Sequence, residues 1–277
     1  MRLPLSCTTW TFEPLPVDEA ILRIRDLGFD GADIPVASRL DANTSTSVER
    51  QRMRKAAERA GIALSGLHWA IPPGLSYNTP DAGNRQAAVA YFKRVIDLAD
   101  ELGVHAITLG CGYTHRIDPA WDRNDSVKRA RDSWEQWARH LEGKRVRVGL
   151  EVLSRLDVNV LNTVEECLRF LDGLLGPQLG LTLDTYHMNI EEPDLAAAIA
   201  RAAQWIRVFQ VAENHREVPG TGHLPWRRFM TMLQTVRYEG YISFEIPPVR
   251  WGCTAPRDAM KELSQGLSYL KAVLTSV

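Results

Sequence analysis

The chain has 277 residues, 45% of them hydrophobic, with 33 Lys and Arg against 34 Asp and Glu and a formal net charge of -1. That balance, with no basic run, argues against a nucleic-acid or anionic-membrane surface, and no apolar run approaches the ~20 residues of a membrane span. The start MRLPLSCTTW lacks the regions of a signal peptide, and Cys7, Cys111, Cys167 and Cys253 are far apart with no CxxC pair, so a cytoplasmic protein in a reducing compartment is expected.

Short apolar runs alternate with helical patterns from end to end. Residues 3–8 read as a first strand, and 17–27 as an amphipathic helix with Ala20, Ile21, Ile24 and Leu27 on one face. Gly28 stops that helix before a second strand, 29–34. A charged helix, 48–60, and a third strand, 62–68, come next. Then follow a helix at 85–102, its stop at Gly103, and a fourth strand at 106–109. Residues 126–141 read as helical and 146–152 as a fifth strand. Thr163 caps a helix running to Leu175, with Glu166 at the capping-box position. The sixth strand, 179–183, is a short apolar run behind a Gly-Pro turn, as expected of a strand buried on both faces. It ends in Asp184, Thr185, Tyr186 and His187. A helix at 195–203, a seventh strand at 206–211 and a helix at 226–236 follow. An eighth strand at 241–246 and a closing helix at 256–274 complete the chain.

Eight βα units in this length predict a (β/α)8 TIM barrel, an α/β fold, spanning 1–277 as a single domain. A doubly wound sheet fits less well because no GxGxxG follows the first strand. The loops after the strands form the active face of a barrel. The longest are 69–84, 111–125 and 212–225, and long loops in compact domains commonly cover a pocket.

Four consecutive strands deliver oxygen-bearing side chains to that face: Glu151, Asp184, Gln210 and Glu245, spaced by 33, 26 and 35 residues. Taken singly, Asp184 reads equally as the cap of the next turn and His187 as a surface residue. Taken together, three converging carboxylates would repel one another and take up protons unless a divalent cation neutralised them. An all-oxygen set suits Mg2+ or Mn2+ better than Zn2+.

The segments LEVLSRLDVNVLNT (150–163), LTLDTYHMNIEE (181–192), AENHREVPGTGHLPW (212–226) and ISFEI (242–246) resemble the ketose 3-epimerases, the D-tagatose/D-psicose group of the xylose-isomerase-like sugar isomerase/epimerase barrels. The resemblance implies one divalent ion, Mn2+ or Mg2+ with Co2+ as a further candidate, held by Glu151, Asp184, Gln210 and Glu245. It implies that Glu151 and Glu245 are the acid/base pair of an epimerisation at C3 of a free ketose, and that His187 and Arg216 bind sugar oxygens. It also implies a homodimer or homotetramer.

Three positions depart from the family pattern. Gln210 stands where the epimerases have a metal-binding His, a variant that the related hydroxypyruvate isomerases resemble. Ser154 and Asp157 stand where the epimerases have an Asn and a Glu, the Glu helping to hold the sugar near O1.

The chemistry has a physical rationale. A proton on carbon beside a ketone is weakly acidic, so its removal needs the developing enediolate stabilised by a Lewis acid. Inversion needs a base on one face and an acid on the other. Arg216 supplies a permanent donor fork. Trp10, Trp69 and Tyr113 lie at or beyond other strand ends, where they either line the pocket or pack. His68 ends the third strand, within reach of the site, and reads more readily as a hydrogen-bonded structural residue. His215 and His223 read as exposed loop residues. Gly220 and Gly222 read as turn residues rather than a phosphate loop, since no Lys-Ser/Thr follows. Competing functions are an aldose–ketose or hydroxypyruvate-type isomerase, a lyase of the same barrels, a DNA-repair nuclease, and a non-catalytic sugar-binding barrel. The nuclease needs more His ligands and a basic groove.

Overall fold

The computed structural model describes residues 3–250 and 257–277. Eight parallel strands close into a barrel in sequence order. They are β1 (Leu5–Thr8), β2 (Gly31–Pro35), β3 (Ala63–His68) and β4 (Ala106–Leu109), then β5 (Arg147–Glu151), β6 (Leu179–Asp184), β7 (Ile206–Val211) and β8 (Ile242–Phe244). β1 pairs with both β2 and β8, so no strand edge remains. Among the described residues, no helix is long and apolar enough to cross a membrane.

The apolar core lies between the strands and the helices around them, with Ile21, Ile24, Phe92, Trp134, Trp137, Phe209 and Phe229 buried. This follows from binary patterning: helix Val17–Leu27 buries Ala20, Ile21 and Ile24 on one face, as its spacing predicts. Inside the barrel, small polar side chains replace the branched apolar ones that usually fill such a space. Ser6, Ser65 and Ser243 all donate to the buried carboxylate of Asp33, the first two at 2.8 and 2.7 Å, and Thr108 meets Thr182 at 3.1 Å.

The element boundaries differ from the sequence reading where capping side chains were overlooked. Asp81 and Asp122 accept backbone N–H bonds and start the helices Ala82–Leu102 and Arg123–Leu141 three residues earlier than expected. The predicted third and fourth loops are correspondingly shorter. The helix expected to run from Thr163 to Leu175 ends at Phe170, and the chain then turns through Gly173, at φ +77. The capping box of Thr163 and Glu166 is present. Short helices at Val36–Arg39, Gly112–His115 and Thr185–Glu191 lie immediately after β2, near β4 and after β6, in stretches read as loops. The last helix is Ala259–Thr275, capped by Asp258. Pro256, where it was expected to begin, and Cys253 lie outside the described residues. Cys7, Cys111 and Cys167 are buried free thiols.

Candidate active site and metal centre

The carboxylates arrive by register. Glu151 is the last residue of β5, Asp184 the last of β6 and directly opposite Gln210 on β7, and Glu245 the residue after β8. All four side chains are buried, at 4, 0, 3 and 3% exposure for Glu151, Asp184, Gln210 and Glu245. Asp184 also accepts from the Tyr186 N–H at 2.7 Å, capping helix Thr185–Glu191. The capping reading therefore holds for this residue, whose carboxylate also lies among the other buried acids. The surface reading of His187 does not: that helix turns its ring inward, and it is 1% exposed.

Ligand-type atoms of Glu151, Asp184 and His187 lie within 4.8 Å of one another. Arg216 reaches the same place from the loop after β7. Its Nη1 sits 2.7 Å from Asp184 and 3.4 Å from Glu245, its Nη2 is 3.3 Å from His187, and its guanidinium lies over the Tyr186 ring at 4.5 Å. Arg216 holds φ at +61, an uncommon conformation for a non-glycine residue. The loop is fastened by Glu213, fully buried, whose carboxylate accepts from Gly220 N, Leu224 N and Trp226 Nε1. Sequence reading passed over Glu213. The pattern Glu213…Trp226 around two glycines was its signal.

Charge dominates the site. Burial first, then repulsion by Glu245 and Asp184, raises the Glu151 carboxyl well above the carboxylate range. Burial likewise pushes Glu245 up to about 8, against the pull of Arg216. Asp184 is buried as deeply, but Arg216 and His187 outweigh the desolvation and hold it below its usual value. Two carboxyls thus favour the proton while the one between them stays ionised. Burial also lowers His187 to about 4, so the ring is neutral near pH 7. Nδ1 lies 3.1 Å from the Ser154 hydroxyl and 3.3 Å from the Ser154 N. Nε2 faces Arg216 Nη2 at 3.3 Å, a group that can only donate, so Nε2 accepts there, and it lies 3.8 Å from Glu151. Asp157 Oδ2 approaches Nδ1 at 3.5 Å and is 42% exposed.

The pocket over these groups is about 240 Å3 and is lined by Trp10, Trp69, Tyr113, Asp157, His187 and Arg216, with Glu151 and Glu245 at its base. Trp10 and Trp69 meet edge to face at 4.4 Å, which makes one apolar wall. Tyr113, 48% exposed, donates to Ile71 O at 3.1 Å. These aromatics line the pocket and pack at once. His68 lies beneath: its Nε2 meets Thr8 at 2.7 Å and its Nδ1 is 3.6 Å from Glu245. It is a hydrogen-bonded buried residue that also touches the site. Both His215 and His223 are exposed, as read.

Gly110, unremarked in the sequence, is where Glu151 needs room. A Cβ there would come 1.5 Å from Glu151 Oε2 and 2.5 Å from its Cβ. Gln210 is the one residue of the expected quartet that also lines an interior cavity below the mouth, and its Oε1 is buried without a hydrogen-bond partner. With Gln210 opposite Asp184 in register, an orphaned amide oxygen on β7 and three buried carboxylates countered by one guanidinium make a donor set whose chemistry fits a hard divalent cation.

The barrel and its acidic mouth define a class, and the family model confirms it. Residues 21–273 match the family described as xylose isomerase-like TIM barrel, and the chain belongs to that family. More particularly, it is 32% identical over 265 residues to the D-psicose 3-epimerase of Agrobacterium fabrum, covering 91% of this chain and 86% of the relative. It is 30% identical over 256 residues to the D-psicose 3-epimerase of Enterocloster bolteae, covering 88% and 82%. Its fold superposes on a D-psicose 3-epimerase from Clostridium cellulolyticum H10, solved with D-tagatose, with a TM-score of 0.87 over 98% of this chain and 99% of that one, at 24% identity.

Proposed function

We propose that this chain is a metal-dependent sugar epimerase that inverts C3 of a free ketose through an enediolate. The observation carrying the reading is the pair of buried carboxyls, Glu151 and Glu245, both pushed toward the protonated form on either side of an ionised Asp184. Relatives named D-psicose 3-epimerase across most of the chain's length support it.

Glu151, Asp184, Gln210 and Glu245 would hold the ion, with His187 close enough to Glu151 and Asp184 to be a fifth candidate. When bound, the ion supplies Lewis-acid stabilisation of charge on the ketone oxygen, Mg2+ and Mn2+ suiting these donors best. Of the two glutamates, one in its ionised form accepts the proton from C3 and the other, protonated, delivers one to the opposite face. Arg216 and neutral His187 orient sugar oxygens, Asp157 sits where it can accept a hydroxyl proton, and the Trp10–Trp69 wall covers an apolar sugar face. His68 and Tyr113 support the pocket from below and from its rim.

The test is exchange in heavy water read by NMR on a panel of ketoses. The reading expects deuterium at C3, and Glu151→Gln and Glu245→Gln each abolishing turnover while the fold persists. Turnover retained in both variants refutes the acid/base assignment. Gln210, in the place of the epimerases' His, favours one second reading, a hydroxypyruvate-type or aldose–ketose isomerase. Deuterium appearing at C1 instead would establish it.

A further inference from the structure

The opposite end of the barrel carries a second concave site. A cleft of about 600 Å3 opens between the turns that precede β6, β7 and β8, and its lining includes Arg147, Trp205, Arg207, Arg237 and Glu239. Arg207 is the key residue. The pairing steps from Leu181↔Ile206 to Thr182↔Val208, so Arg207 is the extra residue of a β-bulge, a device that re-aims a side chain. Gly180 on the neighbouring strand makes the space: a Cβ there would lie 2.0 Å from Trp205 O and 3.1 Å from Arg207 Cγ.

The guanidinium so placed is 6% exposed and has no acidic partner among the described residues. Its Nη1 donates to Gln204 O at 2.9 Å and its Nη2 to Gly176 O at 2.5 Å, both backbone carbonyls, while Nε is buried with no partner at all. Trp205 lies 5.9 Å away beneath it. A buried charge is ordinarily paired. Here the neighbour is another cation: burial, and after it Arg147, pushes Arg207 down to about 10. Arg147 and Arg237 likewise have no acidic partner among the described residues, and Glu239, on the same lining, pairs with none of the three. Net positive charge, a planar donor fork with an unused N–H and an aromatic wall together select a compact oxyanion over a neutral sugar.

We infer that this cleft binds a phosphate dianion, either free or carried on a sugar, between Arg147 and Arg207 with Trp205 as the flank. It lies at the far end of the barrel from the epimerase pocket and does not depend on what that pocket does. Arg147 is four residues before Glu151 on β5, and Arg207 three before Gln210 on β7, so an anion held by both ties together two strands that supply the mouth.

Titration calorimetry on the full chain with EDTA present tests this, using orthophosphate, D-fructose 6-phosphate and D-fructose. Saturable binding of at least one phosphate compound is expected, weakened at least tenfold by Arg147→Ala and abolished by Arg147→Glu. Asp184→Asn, which alters only the mouth, should leave it intact. Because Arg207 is buried, Arg207→Lys replaces truncation: it keeps the charge but loses the fork, and should weaken binding with an unchanged far-ultraviolet spectrum. Tighter binding of D-fructose 6-phosphate than of orthophosphate, lost in Trp205→Ala, identifies a sugar phosphate; equal affinity identifies free phosphate. No saturable heat from either compound, binding unmoved by Arg147→Glu, or binding lost in Asp184→Asn overturns the inference.

Discussion

Replacing Glu245 by Gln in metal-free protein should change how stability depends on pH. The folded-state pKa of Glu245 is raised from 4.5 to about 8. The native state therefore binds a proton that the unfolded chain has already released, and the stability this confers is lost as pH rises toward 8. Buried histidines oppose this: His68, His115 and His187 are held down at about 3, 3 and 4, so the unfolded chain binds their protons first. The unfolded histidines are still half protonated at pH 6.5 and oppose the trend until about pH 7.5, but equally in both proteins, so they cancel from the comparison. The interval from pH 6.5 to pH 8 is worth about 2 kcal/mol from Glu245 at ~1.4 kcal/mol per unit. Glu151 acts in the same direction. Asp184, depressed, acts only in acid, where its stabilisation is lost as pH falls below its unfolded value. Urea unfolding followed by tryptophan fluorescence in EDTA, at pH 6.5 and pH 8, measures the effect. The wild type should lose about 2 kcal/mol more than Glu245→Gln over that interval. Equal losses in the two proteins would refute the claim that this carboxyl is buried in its protonated form. Divalent-ion affinity should rise across the same interval, because ligation displaces the retained protons.

Gly110→Ala should cost at least about a hundredfold in turnover by driving Glu151 from its place, with roughly 1–3 kcal/mol lost in thermal or urea unfolding. Asp157→Asn removes a charge from a side chain 42% exposed, so stability should move by no more than about 0.5 kcal/mol while KM rises, as steady-state kinetics would show. Gln210→His exchanges a hard oxygen for imidazole and should shift metal preference toward Co2+ and Zn2+ over Mg2+ by roughly tenfold or more, read by calorimetry on the stripped protein.

The barrel was legible because its strands are short apolar runs punctuated by glycine, and because a repeat of about 30 residues brings each strand end back to the same rim. The position of Asp184 follows from that register alone, as do those of Glu151 and Glu245. Less legible were the residues that act through space without periodicity. No local pattern announces that Asp33 gathers hydroxyls from β1, β3 and β8, since Ser6, Ser65 and Ser243 are neighbours only once the barrel closes. The same holds for Gly110, whose missing side chain matters only because Glu151 occupies the space.

The neutrality of His187 was equally hidden, and it bears on what the mouth can recognise. Between Asp184 and Asp157 an imidazole in water would be expected to hold two protons. Burial outweighs both acids, and Arg216 adds its own opposition. With the donor-only Arg216 Nη2 at Nε2, the ring's one N–H is on Nδ1, toward the Ser154 hydroxyl and Asp157. A neutral ring there adds no positive charge to the acid/base pair. A protonated His187 would lower the pKa of Glu151 and remove the proton that the glutamate must carry in one half of the cycle. Burial of one helix turn after β6 thus keeps a positive charge away from a carboxyl on β5, a dependence that no spacing along the chain could express.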